Sequence, residues 1–290
     1  MTDPVVAFRS AMVEVIGWID WMPVADSQIH RFHVSGDKTG SLNGWYVLFA
    51  DGIASGCFGS WKAGISRTWR SRKPVDHLEA QLVAQRIEQA KRRREAEQLQ
   101  RQQSAAERAN RLWRDARRAD LLHPYLVAKG VRPHGLRQRG DELLVPLTLD
   151  GQLVNLQRIG PDGSKLFLYG GMVKDCYSPL GIITAGQPLY LCEGRATGAT
   201  LHEETGHPVA CAMYASNLLA VGKHLQRSHP EAVLIVAGDD DRQTAGNPGR
   251  TAAINAAAAL GCGLVLPQWP ADAPPTLSDF NDLANWRAAQ

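Results

Sequence analysis

Hydrophobic and polar positions in the last third of the chain alternate between two kinds of run. Strand-like apolar runs occur at residues 188–192, 208–213, 232–238 and 262–266. Helix-like runs separate them at about residues 196–206, 217–228 and 249–260. This alternation is typical of a parallel sheet covered by helices. The pattern therefore predicts an α/β fold, a parallel sheet flanked by helices, for residues 188–290.

Three further strand-like runs come just before this region, at residues 143–149, 153–159 and 165–169. The connections between them contain the turn sequences Asp150-Gly151 and Pro161-Asp162-Gly163. Short strands joined by such turns predict a small mixed β unit within residues 119–187.

The beginning of the chain reads as a short helix followed by short apolar and aromatic strands, with Asp51-Gly52 as a hairpin turn. Residues 1–75 are therefore predicted to form a small α+β domain. Residues 76–118 contain neither Gly nor Pro and are rich in good helix formers, which predicts one charged helical linker. Apolar residues are sparse between positions 88 and 111, so we expect this helix to be solvated rather than part of a core.

Charge is distributed unevenly along the chain. The net charge of the whole is +3, yet the segment from Lys62 to Arg118 holds 16 Lys and Arg against 7 Asp and Glu. The basic middle of the chain therefore suggests a polyanionic partner, and the acidic remainder suggests bound cations. The helix from residue 76 is either a charged spacer or a helix that also contacts nucleic-acid phosphates.

Membrane and secretory signals are missing from the sequence. No run of eighteen apolar residues occurs, and the first residues lack the basic start and apolar stretch of a signal peptide. The five cysteines form no C-x-x-C pair, which argues against a local zinc ribbon or a disulfide framework. The expectation is a cytoplasmic protein without a membrane partner.

Acidic residues follow the ends of several predicted strands. Glu193 follows the run at 188–192, Asp239 and Asp241 follow the run at 232–238, and Asp279 and Asp282 come after the last run. Ligands of an open α/β sheet gather at the carboxyl ends of its strands, where these side chains would meet. Asp239 and Asp241 are two positions apart, so an extended segment points both to one side and the residue between them away.

Clustered carboxylates repel one another unless a cation lies among them. Oxygen ligands without His or Cys favour Mg²⁺ or Mn²⁺, and such ions stabilise phosphoryl transfer. Each acid also has a simpler explanation, since Glu193-Gly194 could form a turn and Asp279 could cap a helix. The joint pattern, in order and at three strand ends, predicts a metal site.

These residues resemble the TOPRIM domain, in which one strand ends in Glu-Gly, a later strand ends in Asp-x-Asp, and a third acidic site follows. Here the three parts are Glu193-Gly194, Asp239-Asp240-Asp241 and Ser278-Asp279-Phe280-Asn281-Asp282. The last part is similar to an ending common in TOPRIM primases of plasmids, phages and mobile elements. The resemblance implies that Glu193, Asp239 and Asp241 are catalytic, and that all three bind metal together with Asp279 and Asp282.

The sequence departs from the primase pattern at two places. Thr197 stands where primases often carry a further acid, and the turn after Asp241 is longer, with four residues before Gly246. The number of metal ions is left open by both departures.

The resemblance extends upstream to the amino-terminal half of a DnaG-type catalytic core, over Gly151–Gly181. In that family a short β unit supplies basic residues to the nucleotide and the primer–template strand. Arg158 and Lys165 match this role, and Arg195 is a further candidate for binding nucleotide or nucleic acid. The alternative for Arg158 and for Lys165 is an ordinary charged residue on the surface of a strand.

Residues 1–75 resemble, more distantly, the small leading domain of mobile-element primases. Residues 1–75 contain a single cysteine, Cys57, so a four-cysteine zinc site is excluded there. Their aromatic residues are either core residues or platforms for single-stranded bases, and the candidates are Trp45, Tyr46, Phe58, Trp61 and Trp69.

The resemblance implies a DNA primase that makes short primers on single-stranded DNA by metal-dependent nucleotidyl transfer. Its implied partners are the template, nucleoside triphosphates and a separate replicative helicase. Two alternatives stay open, a non-catalytic accessory that binds single-stranded DNA and a TOPRIM nuclease. A topoisomerase is disfavoured because residues before 188 are too few for a strand gate.

Overall fold

The computed structural model describes residues 3–290, and these divide into two compact units between Leu99 and Gln100. The first unit contains helix α1 (Pro4–Ile16), strands β1 (His30–Phe32), β2 (Gly44–Phe49), β3 (Ser55–Ser60) and β4 (Ile65–Arg70), and the first part of helix α2 (His77–Asp115). The four strands form one antiparallel sheet in chain order. This agrees with the small α+β domain predicted for the start of the chain.

The sheet of the first unit is covered on both faces. Phe8 and Met12 of α1 pack on one face, whereas Ala90 of α2 packs on the other. The predicted turn at Asp51-Gly52 joins β2 to β3, and Gly52 has the positive φ of +64° that favours glycine there.

Three of the five aromatic candidates are core residues, because Trp45, Tyr46 and Phe58 are almost completely buried. Trp61 and Trp69 are partly exposed.

Helix α2 is a single helix of 39 residues, as the missing Gly and Pro predict. The prediction that it is solvated was wrong for part of its surface. Ala90, Ala105 and Ala109 are buried, and Ala109 packs against Leu144 and Leu156. Alanine gives a weak hydrophobic signal in a sequence, yet its small side chain lets a helix lie close to a sheet.

The second unit begins with the end of α2 and contains a five-stranded antiparallel sheet, in chain order. Its elements are β5 (Arg117–Arg118), α3 (Pro124–Lys129), β6 (Arg137–Arg139), β7 (Glu142–Leu149), β8 (Gln152–Ile159) and β9 (Lys165–Phe167). The three strands expected here correspond to β7, β8 and β9. The two short strands β5 and β6 extend the sheet beyond them.

A second sheet of the same unit carries the predicted alternation of strands and helices. Its elements are β10 (Ser178–Leu180), β11 (Pro188–Cys192), α4 (Arg195–Thr205), β12 (Val209–Cys211), α5 (Leu218–Ser228), β13 (Val233–Ala237), α6 (Pro248–Leu260), β14 (Gly263–Val265) and α7 (Phe280–Ala288). The strand order is β10-β12-β11-β13-β14. Four strands are parallel, and β10 adds an antiparallel edge.

The predicted α/β fold is therefore confirmed, with a mixed rather than purely parallel sheet. Helix α6 lies very close to β13, because a Cβ at Gly238 would come within 2.4 Å of the Ala253 Cβ. Within residues 3–290, no helix combines the length and the apolar character that a membrane crossing requires.

Candidate active site

Strands β11 and β13 bring Glu193 and the Asp239–Asp241 segment to one edge of the sheet. The two strands are parallel neighbours, with Leu191 paired to Val236. Both therefore end on the same side, and the residues that follow them become neighbours.

Gly249, at the start of α6, marks the point where three carboxylate residues converge. A Cβ at this position would lie 2.8 Å from Asp241 Oδ2, 3.0 Å from Asp239 Cβ and 3.3 Å from Glu193 Oε1. The Gly249 backbone N–H donates a hydrogen bond of 2.9 Å to Asp241 Oδ2. Glycine thus leaves the room that the three acids occupy, and its amide orients one of them.

Asp240 points away from this cluster, as alternation along an extended segment predicts. It accepts hydrogen bonds from Asn247 Nδ2 at 2.7 Å and from Trp269 Nε1 at 2.9 Å. Arg250 Nη1 lies 3.5 Å from the same carboxylate, and these partners lower the pKa of Asp240 against the opposing effect of burial. Asp240 holds the loop that follows β13, whereas Asp239 and Asp241 face the site.

Asp279 is the N-cap of α7 and Asp282 lies in its first turn, and Asp279 is close enough to Glu193 and Asp239 to raise the pKa of both. Asp279 accepts a hydrogen bond of 2.8 Å from the Asp282 backbone N–H, and Asp282 accepts one of 3.0 Å from the Ser278 N–H. The capping role and the site role are compatible, because a carboxylate offers about four lone-pair positions. Thr197 lies close enough to Asp279 to oppose the rise in the pKa of that carboxyl. Thr197 thus influences an acid at the position where the resemblance expected another acid.

Burial and repulsion between carboxylates raise the pKa values of Glu193, Asp239 and Asp279. Burial, with Asp241 and Asp279 nearby, raises the pKa of Glu193 to about 7. Burial, with Glu193 and Asp279 nearby, raises the pKa of Asp239 to about 8. Burial also raises the pKa of Asp279, although the hydrogen bond from the Asp282 N–H opposes this.

The acids of the cluster fit a hard divalent cation. Glu193 Oε1 and Asp239 Oδ1 are both buried without a hydrogen-bond partner, so each has an acceptor position left for a ligand. Within residues 3–290, however, no three His, Cys, Asp or Glu side chains already form a ready-made coordination group. The carboxylates are thus gathered as neighbours, but their oxygens do not yet converge on one point.

Lys165 is the sequence-predicted basic residue that faces the acids. It begins β9, and Asp279 and Asp239 lie close enough to favour its charged form. Loss of water around the ammonium has the larger effect and lowers the pKa of Lys165. The Lys165 Nζ lies 5.5 Å from the centre of the Tyr125 ring.

Arg158, predicted to bind nucleotide or nucleic acid, lies away from Lys165. Strand pairing places Arg158 opposite Leu144 and Leu166, whereas Lys165 pairs with Ile159. Side chains alternate between the two faces of a sheet, so Arg158 and Lys165 lie on opposite faces. Arg158 Nη1 instead contacts Glu142 Oε2 at 3.4 Å.

Arg195, predicted to bind nucleotide or nucleic acid, is a structural residue. Its guanidinium is buried and donates hydrogen bonds of 2.9 Å to Ser178 Oγ, Pro179 O and His134 O. A guanidinium already enclosed by these acceptors is not presented to a substrate. In the sequence Arg195 stands two positions after Glu193. This position does not reveal that other parts of the chain bury its guanidinium.

Lys129 is a site residue that the sequence reasoning missed. Its Nζ lies 3.6 Å from Asp282 Oδ1, and its carbonyl oxygen accepts hydrogen bonds from the side chains of Asn281 and Asn285. The Lys129-Gly130 pair marks the end of α3, as the αL conformation of Gly130 shows. That helix-end signal was visible in the sequence, but Asp282, the ionic partner of Lys129, lies 153 positions later in the chain.

Comparison with known proteins agrees with this geometry. The Toprim domain family matches residues 188–289. One DNA primase TraC of Escherichia coli is 33% identical over 258 residues, which cover 84% of this chain and 18% of that protein. A second DNA primase TraC of Escherichia coli is 32% identical over 278 residues, covering 87% of this chain and 26% of that protein. The chain thus spans about a quarter or less of the relatives it matches.

A solved complex of the bacteriophage T7 lagging-strand DNA polymerase with primase domains contains a chain with a TM-score of 0.40 to this one. The two are 18% identical, and the match covers 56% of this chain and 85% of that chain. No conclusion rests on a likeness at this level. The resemblance to TOPRIM primases is confirmed by the sequence matches. The Toprim domain family model thus matches residues 188–289, within a chain that is similar in sequence to the DNA primase TraC.

Proposed function

We propose that this chain is a DNA primase core that synthesises short primers on single-stranded DNA. The observation that carries the proposal is the convergence of Glu193, Asp239 and Asp241 on Gly249, within the Toprim domain. Sequence relation to a DNA primase favours primer synthesis over the other reactions of Toprim domains.

The reaction joins two nucleotides by attack of a 3′ hydroxyl oxygen on the α-phosphorus of a nucleoside triphosphate. A phosphorus–oxygen bond forms to the 3′ oxygen, the bond to the β-phosphate oxygen breaks, and pyrophosphate leaves. Glu193 is suited to take the hydroxyl proton, because its buried Oε1 lies beside the two aspartates and has no hydrogen-bond partner in the protein. Lys165, at the start of β9, supplies a positive charge for phosphate oxygens.

Asp239, Asp241, Asp279 and Asp282 would hold Mg²⁺ or Mn²⁺ together with Glu193. When bound, the metal supplies positive charge that stabilises both the attacking and the leaving oxygen. The buried, unpartnered oxygens of Glu193 and Asp239 support this assignment, since each leaves an acceptor position unused in the protein. The raised pKa values support it too, because carboxylates that repel one another gain most from a cation.

The partners of the proposed enzyme follow from its chemistry and charge. Single-stranded DNA is the template, nucleoside triphosphates are the substrates, and the cytoplasm is the compartment that supplies both. The basic segment from Lys62 to Arg118 provides the charge for phosphate contacts. A replicative helicase on a separate chain completes the set of proposed partners.

The test is primer synthesis on a mixed-sequence single-stranded DNA circle with Mg²⁺ or Mn²⁺. Glu193→Gln keeps the shape of the side chain but removes its charge, and we expect product to fall by about 10²- to 10⁴-fold. The pair Asp239→Ala/Asp241→Ala is expected to abolish product. The matched control is Glu231→Gln, an exposed glutamate just before β13, at the opposite end of that strand from Asp239.

The outcomes separate the proposal from its two alternatives. Wild-type protein that binds DNA but makes no primer under any condition overturns the primase proposal in favour of an accessory. Metal-dependent cleavage of the circle without synthesis identifies a nuclease. Equal product from the wild type and Glu193→Gln would show that the carboxylate site is not the catalytic one.

A further inference from the structure

Strand β1 and helix α2 bring two arginines to one tryptophan of the first unit. Arg31 of β1 lies directly opposite Trp45 of β2, and Trp45 lies on the sheet face that Ala90 of α2 covers. Directly opposite residues of a strand pair point to the same face, so Arg31 lies on this face too. Arg94 follows Ala90 by one helical turn on the same side of α2. Both guanidinium groups thereby reach Trp61, in the turn between β3 and β4.

The indole rings hold the guanidinium groups in place. Arg94 Cζ lies 4.8 Å from the centre of the Trp45 ring and 5.4 Å from the centre of the Trp61 ring. Arg31 Cζ lies 5.4 Å from the Trp61 centre, and the two rings are 6.0 Å apart. A cation within about 6 Å of a ring centre is attracted to the ring, so two rings fix the position of Arg94. The Trp61 ring is already engaged by two guanidinium groups.

Two hydrogen-bond donors of this cluster lack an acceptor. Within residues 3–290, Trp61 Nε1 and Arg94 Nε are both buried without a hydrogen-bond partner. As whole residues, Trp61 and Arg94 are only half-buried, so part of each side chain remains open to solvent. A buried donor without an acceptor is costly, and native proteins seldom keep one without a reason. Donors combined with positive charge suit an anion that has several acceptor oxygens.

The surroundings of Arg94 favour a phosphate of a polyanion over a single small anion. A guanidinium matches the geometry of phosphate oxygens, and one that is already held in place loses little freedom on binding. The three residues before it, Lys91, Arg92 and Arg93, are all exposed. Such a run of charge attracts a chain of phosphates, whose bound counterions are released on contact.

We propose that Arg94, held by Trp45 and Trp61, binds a backbone phosphate of single-stranded DNA in the first unit. The guanidinium supplies charge and donors, and the Trp61 N–H donates to a phosphate oxygen. Because the contact is with the backbone, it is independent of the base. The inference takes its ligand, the template, from the proposed function, but it concerns DNA binding by the first unit and not the carboxylate site.

The experiment measures binding of a labelled oligothymidylate to the full chain by fluorescence anisotropy, in EDTA and without nucleoside triphosphate. We expect Arg94→Gln to lower the DNA affinity by about tenfold or more, since hydrogen bonds to charged groups are among the stronger ones. The slope of log affinity against log salt should become shallower by about 0.7, the value for one phosphate contact on a single strand.

Arg92→Gln is the matched control, because it removes the same charge from the same run. Arg92 is exposed and contacts Glu88, one helical turn earlier, at 3.1 Å. We expect a much smaller loss of DNA affinity than in Arg94→Gln. Equal losses in the two variants would show that DNA responds only to the net charge of α2, and would overturn the inference.

Trp61→Phe is a second, independent variant of the site. It keeps an aromatic ring beside Arg94 but removes the N–H, which makes no hydrogen bond in the protein alone. The circular dichroism spectrum should therefore stay that of the wild type, while the DNA affinity falls several-fold. Wild-type DNA affinity in Trp61→Phe or in Arg94→Gln would overturn the inference, as would a wild type that binds no single-stranded DNA.

An abasic strand and free ATP identify which chemical group is bound. Arg94→Gln should weaken binding of an abasic oligomer and of oligothymidylate by the same factor, because both carry the same phosphates. A loss confined to the strand with bases would point to base stacking and overturn the inference. So would weakened binding of ATP with unchanged binding of DNA, which would identify a nucleotide site.

The inference and the proposed function fail in different experiments. A chain that binds DNA through Arg94 but makes no primers overturns the proposed function and leaves this phosphate site standing. Wild-type DNA affinity and full primer synthesis in Arg94→Gln overturn the inference and leave the proposed function standing.

Discussion

Gly249 is the residue whose lack of a side chain has the clearest consequence for the site. A Cβ there would meet Asp241 Oδ2 at 2.8 Å and Asp239 Cβ at 3.0 Å, both closer than ordinary contacts. Gly249→Ala should keep helix α6, since alanine favours helices, but displace the two aspartates. Displacement of reacting groups by about 1 Å costs about 100-fold in rate, so we expect primer synthesis to fall by roughly that factor.

The control for this prediction is Gly263→Ala in β14. A Cβ at Gly263 would make only ordinary contacts, the nearest at 3.4 Å from Ile235. Both variants should show similar far-ultraviolet circular dichroism, and only Gly249→Ala should lose primer synthesis and Mn²⁺ affinity. Full activity in Gly249→Ala would mean that the acids do not need their present spacing.

The raised pKa values at the site predict how pH changes the stability of the metal-free protein. Folding raises the pKa of Glu193 from its usual 4.5 to about 7 and that of Asp239 from 3.8 to about 8. The folded state therefore binds protons that the unfolded state has released, so these groups lower stability as pH rises from about 4 to about 8. In EDTA the melting temperature of the wild type should fall across this window.

Asp239→Asn provides the comparison, because an amide cannot ionise. In EDTA at pH 8 this variant should melt higher than the wild type, and at pH 4 the two should be similar. Saturating Mg²⁺ should remove the difference at pH 8 by stabilising only the wild type, since ionised ligands bind the cation. Parallel pH curves for the two proteins would contradict the assigned cause.

At the scale of elements, Asn281 joins α7 to both α3 and α4. It is 1% exposed, and its amide donates to Lys129 O and Thr200 Oγ1. Asn281→Ala would leave buried Thr200 Oγ1 without this donor and Lys129 O with Asn285 as its remaining side-chain donor. We therefore expect the free energy of unfolding to fall by about 1 to 3 kcal/mol. Urea denaturation measures this directly.

Asn285→Ala is the milder counterpart, because Asn285 donates to the same Lys129 carbonyl at 3.1 Å but lies in a more exposed position. Its cost should be under about 1 kcal/mol. Equal costs for the two variants would show that Asn281 is not the main link between these helices.

Regular elements were predictable from the chain where a strong local signal exists. The parallel strands and helices of residues 188–290 follow apolar periodicity, and Glu193 and Asp239 follow from strand ends. The short strands β1, β5 and β10 have two or three residues, too few for a period to show. They exist because a neighbouring strand offers hydrogen-bond partners.

The parts of the site that the sequence does not determine have the same physical origin. The face of β8 on which Arg158 lies depends on the register of β8 with β7 and β9. Tertiary packing sets that register. The burial of Arg195 depends on His134 and Ser178, which reach it from other parts of the chain. The role of Lys129 depends on α7, at the far end of the sequence.

At the scale of the whole molecule, the division between Leu99 and Gln100 falls inside helix α2. The part of α2 after the division contributes Ala105 and Ala109 to the second unit, where Ala109 packs against Leu144. All residues assigned to the carboxylate site belong to the second unit. The site should therefore not require the first 99 residues in order to form.

A fragment of residues 100–290 tests this conclusion. It contains both sheets of the second unit and a core of its own, so we expect one cooperative unfolding transition and Mn²⁺ affinity close to that of the full chain. Affinity for single-stranded DNA should fall and depend less steeply on salt, because ten of the sixteen basic residues between Lys62 and Arg118 precede residue 100. A fragment starting at residue 119 should be less stable, since it also loses the packing of Ala109 on Leu144 and Leu156. Loss of Mn²⁺ binding in a well-folded 100–290 fragment would show that the first unit contributes to the site.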